Sequence, residues 1–181
     1  MNKPTVLLDV DGVLADFAGA LLRWAGPKYT REQLTEWDLT KALGLGDRQH
    51  LFDEYASEPG FCEWLPVIDG AQDFVEGLRS VADIVIVTSP YSAARLWTFE
   101  RLRWLERHFG ISKYDVIFAK RKYLVRGDIM VDDGPHNIEE FVMRGGHGLL
   151  IEQPWNAASL VPGARRCRTL EQALEAVRET V

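Results

Sequence analysis

The sequence predicts an α/β fold: a parallel sheet of about five strands flanked by helices, with a small helical cap inserted after the first strand. Three observations carry this. Short β-rich runs alternate with helical patterns along most of the 181 residues. Several runs are nearly continuous in apolar residues, as strands covered on both faces are. One stretch, residues 17–66, breaks the alternation by offering helical patterns and no convincing strand.

The first strand is placed at 6–10. Helical patterns then fall around 16–24, 31–39 and 47–57. A crossover between parallel strands usually needs only one helix, so roughly fifty extra residues here mark an insertion by ordinary loop-length expectations. The core is accordingly assigned to residues 1–16 and 67–181, and the cap to 17–66. Ala71, Phe74, Val75 and Leu78 recur at helical spacing and lead into a strand at 84–88. Leu96, Trp97, Trp104, Leu105 and Phe109 stripe the next helix, which strands at 115–118 and 129–131 follow. Ile138, Phe141 and Val142 form a short helix that Gly145 and Gly146 can end. After a strand at 148–151, Thr169 and Gln172 fit a capping box opening the last helix.

At 46% hydrophobic and 27% charged, the chain can bury a real core, which excludes disorder. A net charge of -6 argues against a surface that coats a nucleic-acid polymer or an anionic membrane. A small phosphorylated ligand remains compatible, because one pocket can be locally positive. No run approaches membrane-spanning length, and Asp9 and Asp11 stand where a signal peptide needs its apolar stretch, so a cytoplasmic protein is expected. Cys62 and Cys167 form no C-x-x-C pattern, which disfavours a disulfide framework or a zinc site.

The densest chemical signal is Asp9-Val10-Asp11-Gly12 at the end of the first strand. Strand alternation points Asp9 and Asp11 the same way. Their repulsion is costly alone, and a hard divalent cation relieves it, Mg²⁺ being the natural candidate for an all-oxygen site. The plain alternative is a turn with solvated aspartates. Asp132-Asp133 ends a second strand, at the sheet edge where open α/β folds bind ligands. Thr88-Ser89-Pro90 ends a third and can donate to an anion at the following helix start. The run Lys120-Arg121-Lys122 reads first as a solvated face, yet one lysine reaching inward would balance both the carboxylates and a phosphate.

Taken in this order on successive strand ends, Asp9-x-Asp11-Gly12-Val13, Thr88-Ser89, Lys122 and Asp132-Asp133 resemble the haloacid dehalogenase superfamily of phosphatases. Asp9 to Phe17, Thr88-Ser89-Pro90 and Asp132-Asp133-x-Pro135-x-Asn137-Ile138 resemble, more narrowly, its 5′(3′)-deoxyribonucleotidase family. The resemblance implies a Rossmann-like core and a Mg²⁺-dependent phosphomonoesterase acting on nucleoside monophosphates. It implies Asp9 as nucleophile through an aspartyl-phosphate, Asp11 as general acid/base, and Thr88 and Lys122 as holders of the phosphate oxygens. Mg²⁺ would be held by Asp9, Asp11 (through its carbonyl) and Asp132, with Asp133 steering these ligands from behind. Gly134 departs from the family, where an arginine is expected.

For substrate binding, Phe17, Phe61 and Trp64 are candidates for a wall stacked on the base, with Ser89, Lys120 and Arg101 near the phosphate or sugar. The alternative for the aromatics is that they build the core of the cap. His50, His108, His136 and His147 show no ligand spacing and read as structural. Two other readings stand beside the nucleotidase: a related phosphatase of another small phosphoester such as a sugar phosphate, and a non-catalytic binder of phosphorylated ligands. The oligomeric state is left open, a homodimer among the options.

Overall fold

The structure, a computed structural model, describes residues 3–180. Its centre is a parallel sheet of β1 (Thr5–Leu8), β2 (Asp83–Thr88), β3 (Val116–Phe118), β4 (Ile129–Asp132), β5 (His147–Ile151) and β6 (Arg165–Cys167). The spatial order is β3-β2-β1-β4-β5-β6, so β1 and β4 lie side by side at the centre, where successive connections turn in opposite directions. Ligands bind outside the carboxyl ends of such strands.

The period-two alternation of β1 builds both faces of the sheet. Val6 and Leu8 join Ile86, Ile129 and Val131 under α4 (Ala71–Val81), α5 (Trp97–Phe109) and α7 (Leu170–Thr180). Leu7 joins Val87, Met130 and Leu150 on the other face, under α6 (Pro135–Val142). A strand buried on both sides therefore reads as a continuous apolar run. The sixth strand is absent from the sequence reading. Arg165-Arg166-Cys167 is short and charged, and as an edge strand it pairs only with β5, so it needs no apolar run of its own.

Between β1 and α4 the chain forms α1 (Phe17–Ala25), α2 (Leu39–Ala42) and α3 (Gln49–Ala56). These pack around a cluster of Leu21, Leu34, Leu43, Phe52 and Ala56 that also takes in Trp155 from after β5. The helix expected over 31–39 is instead one tight turn at Arg31–Gln33, followed by irregular chain. Asp38 explains the break: its side chain accepts from the Lys41 amide, and so starts α2 rather than continuing a helix. The two ends of this segment are tied together, Asp16 N donating to Pro66 O and Ile68 N to Leu14 O, each at 2.8 Å. Among the described residues, no helix is long and apolar enough to cross a membrane.

Candidate active site

A cavity of about 660 Å³ opens between the carboxyl ends of the central strands and the inserted helices. Asp9 follows β1 directly, its amide still donating to Val131 O of β4 at 3.0 Å. The chain then folds back on itself: the amides of Val13, Leu14 and Ala15 all converge on Val10 O. This turn requires Gly12, at φ 79°, and a Cβ there would lie 2.1 Å from Asp133 Oδ2. Gly12 thus lets the first acidic turn press against the second.

Asp9, Asp132 and Asp133 are all buried, and each offers an oxygen within 4.8 Å of the others. Lys122 reaches into this cluster, with Nζ 2.6 Å from Asp9 Oδ1 and 2.8 Å from Asp132 Oδ2. Burial, then repulsion from Asp132, push Asp9 up to about 7 despite Lys122. Burial, then Asp9 and Asp132, hold Asp133 well above the ordinary carboxylate range. Burial works against the charge on Lys122, but the two carboxylates outweigh it and raise its affinity for the proton. Three carboxylates against one ammonium leave a deficit of positive charge, and a divalent cation with oxygen ligands fits that deficit.

The two members of the second acidic pair face different ways. Asp132 is fully enclosed: Oδ1 accepts from Gly134 N at 2.7 Å, Oδ2 from Lys122, and the Asn137 amide bridges both. Asp133 lies on the cavity wall. Its Oδ2 accepts from Trp155 Nε1 at 2.9 Å, and Asn156 Nδ2 holds its backbone carbonyl at 2.8 Å. Thr88 also lines the cavity, and its buried Oγ1 has no hydrogen-bond partner among the described residues. An orphaned hydroxyl aimed at this spot is what an incoming anion would satisfy.

Of the residues singled out for substrate, Phe17, Ser89 and Lys120 line the cavity. Three others need correcting. Trp64 is 72% exposed and stacks under the Arg107 guanidinium, 4.6 Å from its ring, on the outer flank of α5. The turns at 58–64 cause this: Phe61 N donates to Glu58 O and Trp64 N to Gly60 O, so the chain carries Phe61 inward and Trp64 outward. Phe61 packs behind Phe17, with ring centroids 6.2 Å apart, and lines a separate small hollow with Trp64 rather than the main cavity. Arg101 is fully buried off the cavity wall and meets no substrate space; its Nη2 donates to Asp11 Oδ1 at 2.6 Å.

The far wall of the cavity is instead built by Leu21 and Phe52 from the insertion and by Tyr91 and Trp97 from the segment after β2. Phe17 sits among them, 5.7 Å from both Phe52 and Tyr91. Tyr91 ties this wall to α3 by donating to Asp53 Oδ1 at 2.6 Å. Trp37 and His136 close another side, their rings 4.8 Å apart edge to face. This contact also accounts for Gly134. A Cβ there would meet Asn137 Nδ2 at 2.8 Å, Asp132 Oδ1 at 2.9 Å and the Trp37 ring at 3.1 Å, which leaves no room for an arginine. Sequence reasoning gives Tyr91 and Trp155 no role and places Trp97 only on the stripe of α5. For Tyr91 and Trp155 the available signal is position, since each follows a strand at its carboxyl end.

A model of the family described as 5′ nucleotidase, deoxy (pyrimidine), cytosolic type C protein matches residues 3–174. The cytosolic-type 5′(3′)-deoxyribonucleotidase of Homo sapiens is 33% identical over 139 residues, covering 71% of this chain and 69% of that protein. The 5′(3′)-deoxyribonucleotidase of Bacillus subtilis (strain 168) is 26% identical over 159 residues, covering 85% and 88%. Among solved structures, a haloacid dehalogenase-like hydrolase from Burkholderia xenovorans matches with a TM-score of 0.64 at 17% identity, covering 99% of this chain and 98% of that one. A HAD-hydrolase from Bacillus subtilis, bound to magnesium, matches with a TM-score of 0.56 at 21% identity, covering 98% and 99%. At these identities the structural likenesses speak for the fold alone.

Proposed function

The chain belongs to the 5′ nucleotidase, deoxy (pyrimidine), cytosolic type C family, and from that premise we propose that it hydrolyses deoxyribonucleoside monophosphates with Mg²⁺ as cofactor, through a phosphorylated Asp9. It is a phosphatase of the 5′-nucleotidase type with a haloacid dehalogenase-like fold. The observation that carries the finer reading is the cluster of Asp9, Asp132 and Asp133 against the single ammonium of Lys122.

The donor set suits the ion. The family resemblance implies that Asp132 ligates the ion and Asp133 steers from behind; this proposal reverses the two, because Asp9 and Asp133 face the cavity and would hold the ion together with the backbone at Asp11, while Asp132, its oxygens already engaged, sets the position of Lys122. When bound, Mg²⁺ supplies positive charge that screens the carboxylates from the phosphate. Asp9 attacks phosphorus and releases the nucleoside alkoxide, dividing one hard displacement into two easier ones. Asp11 donates a proton to that leaving oxygen, and afterwards takes one from the water that hydrolyses the acyl phosphate. Lys122 and the Thr88 hydroxyl, which has no partner among the described residues, hold the non-bridging oxygens. The cavity lies within the usual range for small-molecule sites and extends from the carboxylates to the aromatic wall, so a base can rest there while the phosphate meets Asp9. A cytoplasmic location is part of the same proposal, supported by the cytosolic-type relative.

A panel of phosphomonoesters tests the reading. With Mg²⁺ present, deoxyribonucleoside monophosphates such as dUMP should be turned over with the highest kcat/KM. Sugar phosphates hydrolysed equally well would move the assignment to a general small-phosphoester phosphatase, and no turnover of any ester with Mg²⁺ bound would make the chain a binder.

A further inference from the structure

Arg101 has no exposed surface, and a guanidinium carries five N–H donors that normally find several acceptors. Here Nη2 meets Asp11 Oδ1 at 2.6 Å, while Nε and Nη1 are buried without a partner among the described residues. The group is held between aromatic faces instead, 4.9 Å from the Trp97 ring and 5.3 Å from the Trp104 ring. An arginine serving only to fill the core would carry the cost of each buried N–H left unpaired. This one directs its hydrogen bonding to a single carboxylate, and that carboxylate lines the cavity.

The same turn of α5 is anchored on its other contacts. Glu100, also buried, accepts from Gly60 N at 2.7 Å and Cys62 N at 3.0 Å. Trp104 Nε1 donates to Leu65 O at 2.7 Å. On either side of Arg101, α5 is thus tied to the 60–65 segment.

We propose that Arg101 is the positioning residue for Asp11. It holds Oδ1 from behind so that the other carboxylate oxygen faces the leaving oxygen of the substrate, and it links that placement to the 60–65 segment through Glu100 and Trp104. The proposal rests on the reading of Asp11 as the acid/base.

The test is a double-mutant cycle of Asp11→Asn and Arg101→Gln in the full chain with Mg²⁺, on dUMP and p-nitrophenyl phosphate. Nitrophenolate leaves without needing a proton, whereas the deoxyribose alkoxide does not. Arg101→Gln should lower kcat for dUMP by about 10- to 100-fold, the scale of a catalytic group displaced by an ångström. KM should stay within about threefold, and the loss on p-nitrophenyl phosphate should be clearly smaller. Added to Asp11→Asn, the same change should cost little more. Arg101→Lys, which keeps a cation, should recover part of the turnover. Losses that multiply in the double variant, or fall equally on both substrates, would assign Arg101 to the scaffold and overturn the proposal. A rise in KM alone would place it on the substrate instead, and loss of the folded state in both Arg101 variants would also make it a scaffold residue. Should the Asp11→Asn single variant lose equally on both substrates, the acid/base reading itself fails, a result visible without any Arg101 variant.

Discussion

Replacing Lys122 with Met retains a long side chain and removes the cation that touches both Asp9 and Asp132. At separations of 2.6 and 2.8 Å, each pair attracts by about 6 kcal/mol at an effective dielectric of about 20. Desolvation of the buried ions offsets much of this, so the net cost of removing one partner is about 3–5 kcal/mol. For a chain of this length each 1 kcal/mol lowers Tm by about 2–4 °C, so the metal-free variant should melt roughly 6–20 °C below the parent. The measurement belongs at alkaline pH, about 9 or above, because Asp9 is pushed up to about 7 even beside Lys122 and rises further without it, and at lower pH it would relieve the strain by taking a proton. Mg²⁺ binds the folded cluster and not the unfolded chain, and the cluster gains one unit of negative charge without Lys122. Mg²⁺ should therefore raise Tm more in the variant than in the parent. Turnover should not return with stability, because no ammonium then holds the phosphate, and about 10²–10³ in kcat should stay lost. Thermal unfolding in EDTA and in Mg²⁺, followed by phosphate release, gives both readings. An unchanged Tm in EDTA, or activity restored along with Tm by Mg²⁺, would refute the reasoning.

Three further outcomes follow from the same geometry. In the metal-free protein Asp9 sits at about 7 against an ordinary 3.8, so across that window the folded state keeps a proton the unfolded chain has lost, and the Asp9 contribution to stability falls as pH rises; urea midpoints in EDTA should drop with pH more steeply than in Asp9→Asn, Mg²⁺ should flatten the difference, and parallel profiles would remove Asp9 as its source. Trp64→Ala should cost only about 0.5–1 kcal/mol from the lost contact with Arg107, with kcat/KM for dUMP unchanged; a selective loss on the nucleotide would return Trp64 to the pocket. Gly134→Ala places a methyl within 2.9 Å of hydrogen-bonded atoms of Asn137 and Asp132 and should lower stability by about 1–3 kcal/mol, whereas an unaltered Tm would show that the loop yields freely.

What the sequence by itself determined is the edge that carries the candidate site. Asp9, Thr88 and Asp132 each end or directly follow an apolar run, and parallel strands put all their carboxyl ends on one side, so local pattern is enough to bring them together. The buried strands were legible for the same reason. β6 was not, because an edge strand paired on one side is specified by its neighbour rather than by its own residues. The surroundings of the carboxylates were decided by tertiary packing. Which of Phe61 and Trp64 turns inward depends on turns at 58–64 and on the flank of α5 that receives Trp64. Arg101 reads as one charge on a helix until the chain folds it between Trp97 and Trp104, where the carboxylate it reaches is Asp11, 90 residues earlier. Trp155 reaches Asp133 from the loop after β5, a contact no spacing in the sequence announces. Backbone periodicity acts over a few residues and so can be read locally, whereas a side chain's neighbour is chosen by how whole layers pack, and only the folded chain contains that information.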